Sequence, residues 1–193
     1  MYILIHFRPK MSQTRVVIIP GNGNGDVERS NWYGWLRNKL KEKDVECVLK
    51  NMPDPVVARE AIWIPFMEKQ LSCDSNTVVV GHSSGAQAAM RYTENHHVYG
   101  LVLVSACVTD LGDPNEKASG YYNRPWEWEQ IRLNTQWIVQ FGSTDDPFVP
   151  FSEQKQVAEG TSAEFQQYSD KGHFMSMAFP ELLEKLMEKL QGS

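Results

Sequence analysis

Short apolar runs alternate along the chain with segments whose apolar residues recur at helical spacing. The first run, Val16-Val17-Ile18-Ile19, is closed by Pro20 and the loop Gly21-Asn22-Gly23-Asn24-Gly25-Asp26. A helix is predicted next, capped by Ser30 or Asn31, with Trp32, Trp35, Leu36 and Leu40 on one face. Val45–Leu49 reads as a second strand and Asn51–Pro55 as a turn. Val57 to about Leu71 reads as a helix that Pro65 should kink or break. Thr77–Val80 is apolar on both faces, as a central strand of a parallel sheet must be. It runs into Gly81-His82-Ser83-Ser84-Gly85 and a small-residue helix beginning Ala86–Met90. Tyr99–Ser105, Trp137–Phe141 and Glu164–Tyr168 supply three more strands, while the polar and aromatic stretch from Asp110 to Trp128 interrupts the alternation. The last helix starts at Pro180, a residue suited to a first helical position, and buries Leu182, Leu183, Leu186, Met187 and Leu190. Strands interleaved with helices specify an α/β fold of three layers, with a mostly parallel sheet between helices.

The 193 residues suit one domain, taken as 15–193, with residues 1–14 as an N-terminal extension. Met1–Phe7 is apolar, but it lacks the preceding basic residue and the small-residue cleavage site of a secretory signal. A cytoplasmic location is therefore expected. Nineteen Lys and Arg are scattered among 24 Asp and Glu for a net charge of −5, which argues against a nucleic-acid partner. No apolar run approaches the roughly 18 residues of a membrane span. Cys47, Cys73 and Cys107 are too few and too widely spaced for a disulfide framework or a zinc site.

Gly81–Gly85 fits G-x-S-x-G, a pattern that chance alone places in roughly one chain in fifteen of this length. Its setting, between a buried strand and a helix, is more specific, because a serine nucleophile there projects from a tight turn above the strand end. Ser83 is the predicted nucleophile, and the Ser84 N–H one donor to the developing oxyanion. A serine hydroxyl needs a base. Of the histidines, His6 lies in the extension, His82 lies within the turn itself, and His96 and His97 follow a helix away from it. His173 follows the last strand and so reaches the same carboxyl edge as Ser83. Gly142–Pro150 follows strand five and offers two adjacent carboxylates. Asp146 is preferred over Asp145 because Pro-Phe-Val-Pro after it would hold the loop. The glycine loop at 21–26 lacks dinucleotide spacing, and Lys50 and Asn51 stand where an acidic residue would end strand two. It serves better to aim the Asn22 N–H at an oxyanion. No metal or organic cofactor is implied.

Pro20-Gly-Asn-Gly23, Trp32-Tyr-Gly-Trp35, Asn51-Met-Pro-Asp-Pro55, Gly81–Gly85, Ser119-Gly-Tyr121, Arg124-Pro-Trp126, Gly142–Phe148 and Gly172-His-Phe174 together resemble the retinoblastoma-binding protein 9 group of small α/β-hydrolases. The resemblance spans about residue 15 to the C-terminus. It implies an α/β-hydrolase with a mostly parallel six-stranded sheet and a Ser-Asp-His triad falling on Ser83, Asp146 and His173. The group's namesake carries an L-x-C-x-E motif for retinoblastoma-type pocket proteins. The matching segment here is Leu71-Ser-Cys73-Asp-Ser75, and Ser75 cannot supply the carboxylate, so that partner is not expected.

The sequence thus reads as a serine hydrolase of a small ester or amide. A rival is an interaction module that kept a hydrolase fold; the presence of all three candidate residues weighs against it. Tyr121, Tyr122, Trp126 and Trp128 cluster in the stretch that interrupts the alternation. Tyr121, Trp126 and Trp128 are expected to wall the substrate pocket, since exposed aromatics would be costly elsewhere.

Overall fold

The computed structural model describes residues 14–192; the predicted extension lies outside them apart from Thr14. Six parallel strands form one sheet: β1 (Arg15–Ile19), β2 (Cys47–Leu49), β3 (Thr77–His82), β4 (Gly100–Val104), β5 (Trp137–Ser143) and β6 (Glu164–Tyr168), in the order β2-β1-β3-β4-β5-β6. Side chains alternate between the two faces, as the period of two requires. Val17, Ile19, Val79, Leu101 and Leu103 enter one core; Val16, Ile18, Val78, Val80, Val102 and Val104 enter the other.

Helices cover both faces. On one lie α1 (Tyr33–Lys41), contributing Leu36 and Leu40, and α7 (Pro180–Gln191), contributing Leu182 and Leu186. On the other lie α2 (Glu60–Lys69), α3 (Ser84–Thr93), α5 (Trp128–Leu133) and α6 (Phe151–Thr161), contributing Trp63 and Met67, then Ala86, Ala88, Ala89 and Met90, then Ile131 and Val157. The helix α4 (Pro114–Ser119) lies in the stretch that broke the sequence alternation.

Two expectations are corrected. Helix α1 starts at Tyr33, and neither Ser30 nor Asn31 caps it; Ser30 Oγ bonds back to the Asp26 carbonyl, and Asn31 turns the chain at φ 47°. The break allowed for at Pro65 does not occur, and α2 runs through it from Glu60 to Lys69. Pro65 lies on the exposed face, as does Ala61, whose carbonyl loses its partner to the proline, so water can satisfy that group.

The connections place the site. The chain leaves β1 for β2 on one side and returns to β3 on the other, so β1 and β3 are neighbours from which successive loops diverge. Loops at the carboxyl ends of such strands open a crevice between them. The loop after β1 begins at Pro20, and the turn after β3 holds Ser83.

Candidate active site

Ser83 sits between β3 and α3 at φ 53° and ψ −126°, a conformation that costs a non-glycine residue roughly 1–3 kcal/mol. The turn is possible because of its two glycines. A Cβ on Gly81 would run into the backbone of Gly85 and Ala86, and one on Gly85 would meet the carbonyls of Ile19 and Pro20. Only hydrogen at both positions lets α3 start directly over β1 and β3. Ser84 opens that helix, and the first N–H groups of a helix have no partner within it.

His173 and Asp146 meet from two further loops. Both carboxylate oxygens of Asp146 lie within reach of His173 Nδ1, at 2.9 and 3.0 Å. The carboxylate is fully enclosed and also accepts from Ser105 Oγ (2.9 Å) and from the N–H groups of Phe148 (2.9 Å) and Val149 (3.0 Å). Burial alone would raise its pKa. The hydrogen bond and charge of His173, with the two N–H groups, outweigh burial and hold the carboxyl below its usual range. Asp145 turns the other way. It accepts from Ser143 Oγ and the Gly172 N–H, and so fastens the loop that carries His173. The Trp32 indole N–H closes the same loop from beyond, onto the Phe174 carbonyl at 2.9 Å.

His82 joins these parts. Its ring is buried, with Nδ1 2.6 Å from Tyr33 Oη and Nε2 2.8 Å from the His173 carbonyl. The carbonyl can only accept, so Nε2 carries the hydrogen. Tyr33 Oη accepts from the Gly21 N–H (3.0 Å) and Asn31 Nδ2 (3.2 Å), so its own hydrogen goes to Nδ1. The ring is therefore neutral. Burial, followed by the neighbouring His173 charge, pushes its pKa down to about 3. Burial likewise pushes the Tyr33 phenol up to about 12. A continuous chain of hydrogen bonds thus runs from the loop after β1, through His82, to the backbone of His173.

Asn22 lies in that first loop. The Gly21 N–H before it is held by Tyr33, and the Gly23 N–H after it by the Pro55 carbonyl. Asn24 Nδ2 bonds the carbonyls of both Gly21 and Asn22.

Asn22, Ser83, Ser84 and His173 line one open cavity of about 660 Å³, which Tyr33, His82, Leu111, Glu116, Phe148 and Met175 also line. Phe148 packs edge-on against the His173 ring, with centroids 5.0 Å apart. Leu111, Phe148 and Met175 are exposed apolar side chains around its mouth. The Glu116 carboxyl is raised by burial, against the pull of its hydrogen bonds from Ser84, Tyr122 and Asn22.

The expected pocket walls are elsewhere. Tyr121, Trp126 and Trp128 do not line this cavity. Tyr121 is fully buried in the core, and Trp126 stacks on Trp128 over the same core. The physical reason is Arg91 on α3. Its buried guanidinium donates to the carbonyls of Tyr121, Arg124 and Pro125, pairs with Glu94, and lies 3.7 Å from the Trp126 ring centroid. The segment is drawn onto α3 rather than over Ser83. Sequence reasoning missed Glu116, Leu111, Phe148 and Met175. Asp113-Pro114 followed by Glu116 was a legible helix start, and Asp113 does cap α4, but nothing in it tells where the glutamate reaches.

His96 and His97 stay apart from the cavity, and His6 lies outside the described residues. His96 stacks on Tyr92. In the segment Leu71–Ser75, Leu71 and Cys73 are buried in the core. Among the described residues no cluster of three or more His, Cys, Asp or Glu is arranged for a metal ion, and no helix is long and apolar enough to cross a membrane.

The family model described as Serine hydrolase matches residues 16–191. The chain belongs to the serine hydrolase family. It is 56% identical over 173 residues to serine hydrolase RBBP9 of Rattus norvegicus, covering 89% of this chain and 93% of that protein. The resemblance read from the motifs therefore holds. Among solved structures, the ydeN gene product from B. subtilis matches with a TM-score of 0.84 at 24% identity, over 93% of this chain and 100% of that one. Est1E from Butyrivibrio proteoclasticus, solved with ferulic acid bound, matches with a TM-score of 0.73 at 12% identity, over 96% of this chain and 93% of that one. The fold is that of the α/β-hydrolases.

Proposed function

We propose that this serine hydrolase cleaves a small carboxylic ester or amide through an acyl-enzyme on Ser83. One observation carries the reading. A serine in a strained turn and a histidine already hydrogen-bonded to an enclosed carboxylate open into one cavity. His173 Nε2 takes the Ser83 proton as Oγ attacks the carbonyl carbon, and Asp146 stabilises the imidazolium that forms. The N–H groups of Asn22 and Ser84 receive the charge on the carbonyl oxygen. His173 then protonates the leaving group, and water, activated by the same ring, releases the acid and restores Ser83. The reading needs no cofactor. Leu111, Phe148 and Met175 give the acyl or leaving group an apolar rim. It assigns no role to a retinoblastoma-type pocket protein, because two of the motif positions face the core and Ser75 lacks the carboxylate.

Turnover of an activated ester, p-nitrophenyl acetate, tests the assignment. Ser83→Ala should abolish it without unfolding the protein. Asp146→Asn should cost about 10⁴-fold in kcat, since the imidazole loses its orienter and its tautomer. Asp145→Asn, which removes only a loop contact, should cost far less. Wild-type turnover in Ser83→Ala would refute the mechanism, and the reverse ranking of the aspartates would exchange their roles.

A further inference from the structure

Glu116 has no part in that mechanism, yet it stands in the cavity with three donors on its carboxylate. Asn22 Nδ2 (3.0 Å) and Ser84 Oγ (3.2 Å) both donate to Oε1, and Tyr122 Oη donates to Oε2 at 3.2 Å. Asn22 and Ser84 are the two residues whose N–H groups face the oxyanion in the proposed reaction. They come from different loops, one after β1 and one after β3, and a single carboxylate oxygen joins them.

The carrier of that oxygen is fixed. Asp113 caps α4 by accepting from the N–H groups of Asn115 (2.8 Å) and Glu116 (2.9 Å). Asn115 Nδ2 reaches the Val56 carbonyl at 2.7 Å, and Gly120 ends the helix at φ 90°. On its far side the Asn22 loop is held by Tyr33, Pro55 and Asn24. On the cavity side its side chain is held by Glu116. A loop with three glycines has much backbone freedom to lose, so an anchor on the cavity side matters.

We propose that Glu116 is a positioning residue that sets the spacing and direction of the two oxyanion N–H groups by tying the side chains of Asn22 and Ser84 to one carboxylate oxygen. The proposal rests on the hydrolase reading of Ser83. Oxyanion donors act only when held close to where the charge develops, and a displacement of about 1 Å can cost 10²-fold. A positioning role of this kind appears in the transition state and not in ground-state binding, so it moves kcat and spares KM.

The experiment compares Glu116→Ala and Glu116→Gln with p-nitrophenyl acetate as substrate and phenylboronic acid as a probe that forms a tetrahedral adduct on serine. Glu116→Ala should lose about 10- to 100-fold in kcat with KM changed by less than about 2-fold, and its affinity for the boronic acid should fall in parallel. Glu116→Gln keeps an acceptor oxygen for Asn22 and Ser84 and should recover to within about 5-fold of wild type. Both should melt cooperatively and still be phosphonylated at Ser83 by a fluorophosphonate. If Glu116→Ala does not fold, Ser84→Ala, which removes one of the two ties, should show a smaller kcat loss with unchanged KM. An unchanged kcat in the alanine variant that folds, a loss confined to KM, or a glutamine variant as poor as alanine would overturn the proposal. Wild-type protein that is not phosphonylated at Ser83 would instead remove the hydrolase reading beneath it.

Discussion

The placement of Ser83, Asp146 and His173 at one edge of the sheet was legible in the sequence, because each follows a strand and the chain order limits which loops share an edge. Asp146 was separable from Asp145 through its neighbours, and the structure shows the reason: the turn that Pro147 begins lets the N–H groups of Phe148 and Val149 fold back onto Asp146. His82 was legible only as a residue inside the motif. Its partners, Tyr33 and the His173 carbonyl, are 49 and 91 residues away, and no local pattern encodes them. Its burial has a measurable consequence. The ring must stay neutral to accept from Tyr33 and donate to His173, and its folded pKa lies near 3 against an ordinary 6.5. Between those values the unfolded chain binds a proton that the folded chain refuses. This contribution to stability is fully present above about pH 6.5 and is lost as pH falls toward about 3. Asp146, held below its usual range, acts in the same direction at the acid end. Urea titrations across this range should show stability falling with acidification. In His82→Gln, stability at neutral pH should be lower and the dependence weaker by up to about one proton. A dependence identical to wild type would mean that His82 titrates normally.

At the scale of elements, the strands were legible because alternation and apolar runs are local properties, and β6 coincides with its predicted range. Helices α5 and α6 were not, since α5 is short and α6 buries few apolar residues, and of α4 only the start carries a local signal. The aromatic cluster was misplaced for a related reason. Its composition suits a pocket wall as well as a core, and the element that decides, Arg91, lies 30 residues before Tyr121. Arg91 and Glu94 are both enclosed, so losing the arginine would leave a buried carboxylate without its main partner. Two substitutions separate the roles. Trp126→Ala should lower the melting temperature, by about 2–4 °C for each kcal/mol lost, and leave the chain-length profile of ester hydrolysis unaltered. Phe148→Ala, at the exposed rim beside His173, should change that profile with little effect on melting. A profile that shifts with Trp126 and ignores Phe148 would return the pocket to the aromatic segment.

Over the whole molecule, the six-stranded order reverses between β1 and β3, and that reversal assembles the site. The loop after β1 brings Asn22, the turn after β3 brings Ser83 and Ser84, the loop after β5 brings Asp146, and the loop after β6 brings His173. Strand alternation made the parallel α/β class legible, but the strand order and the distances across the edge belong to the fold alone, which is why the links through His82 and Glu116 emerge only with the structure. The central claim is that these four loops serve a nucleophilic serine. Its most direct measurement is covalent capture: reaction with a fluorophosphonate, digestion, and mass mapping of the modified residue. The account predicts a single phosphonylated residue, Ser83, and no label on a Ser83→Ala protein that melts as wild type does. An unmodified Ser83 in the wild-type protein, or label that persists on the Ser83→Ala variant, would contradict it and favour an interaction module on a hydrolase fold.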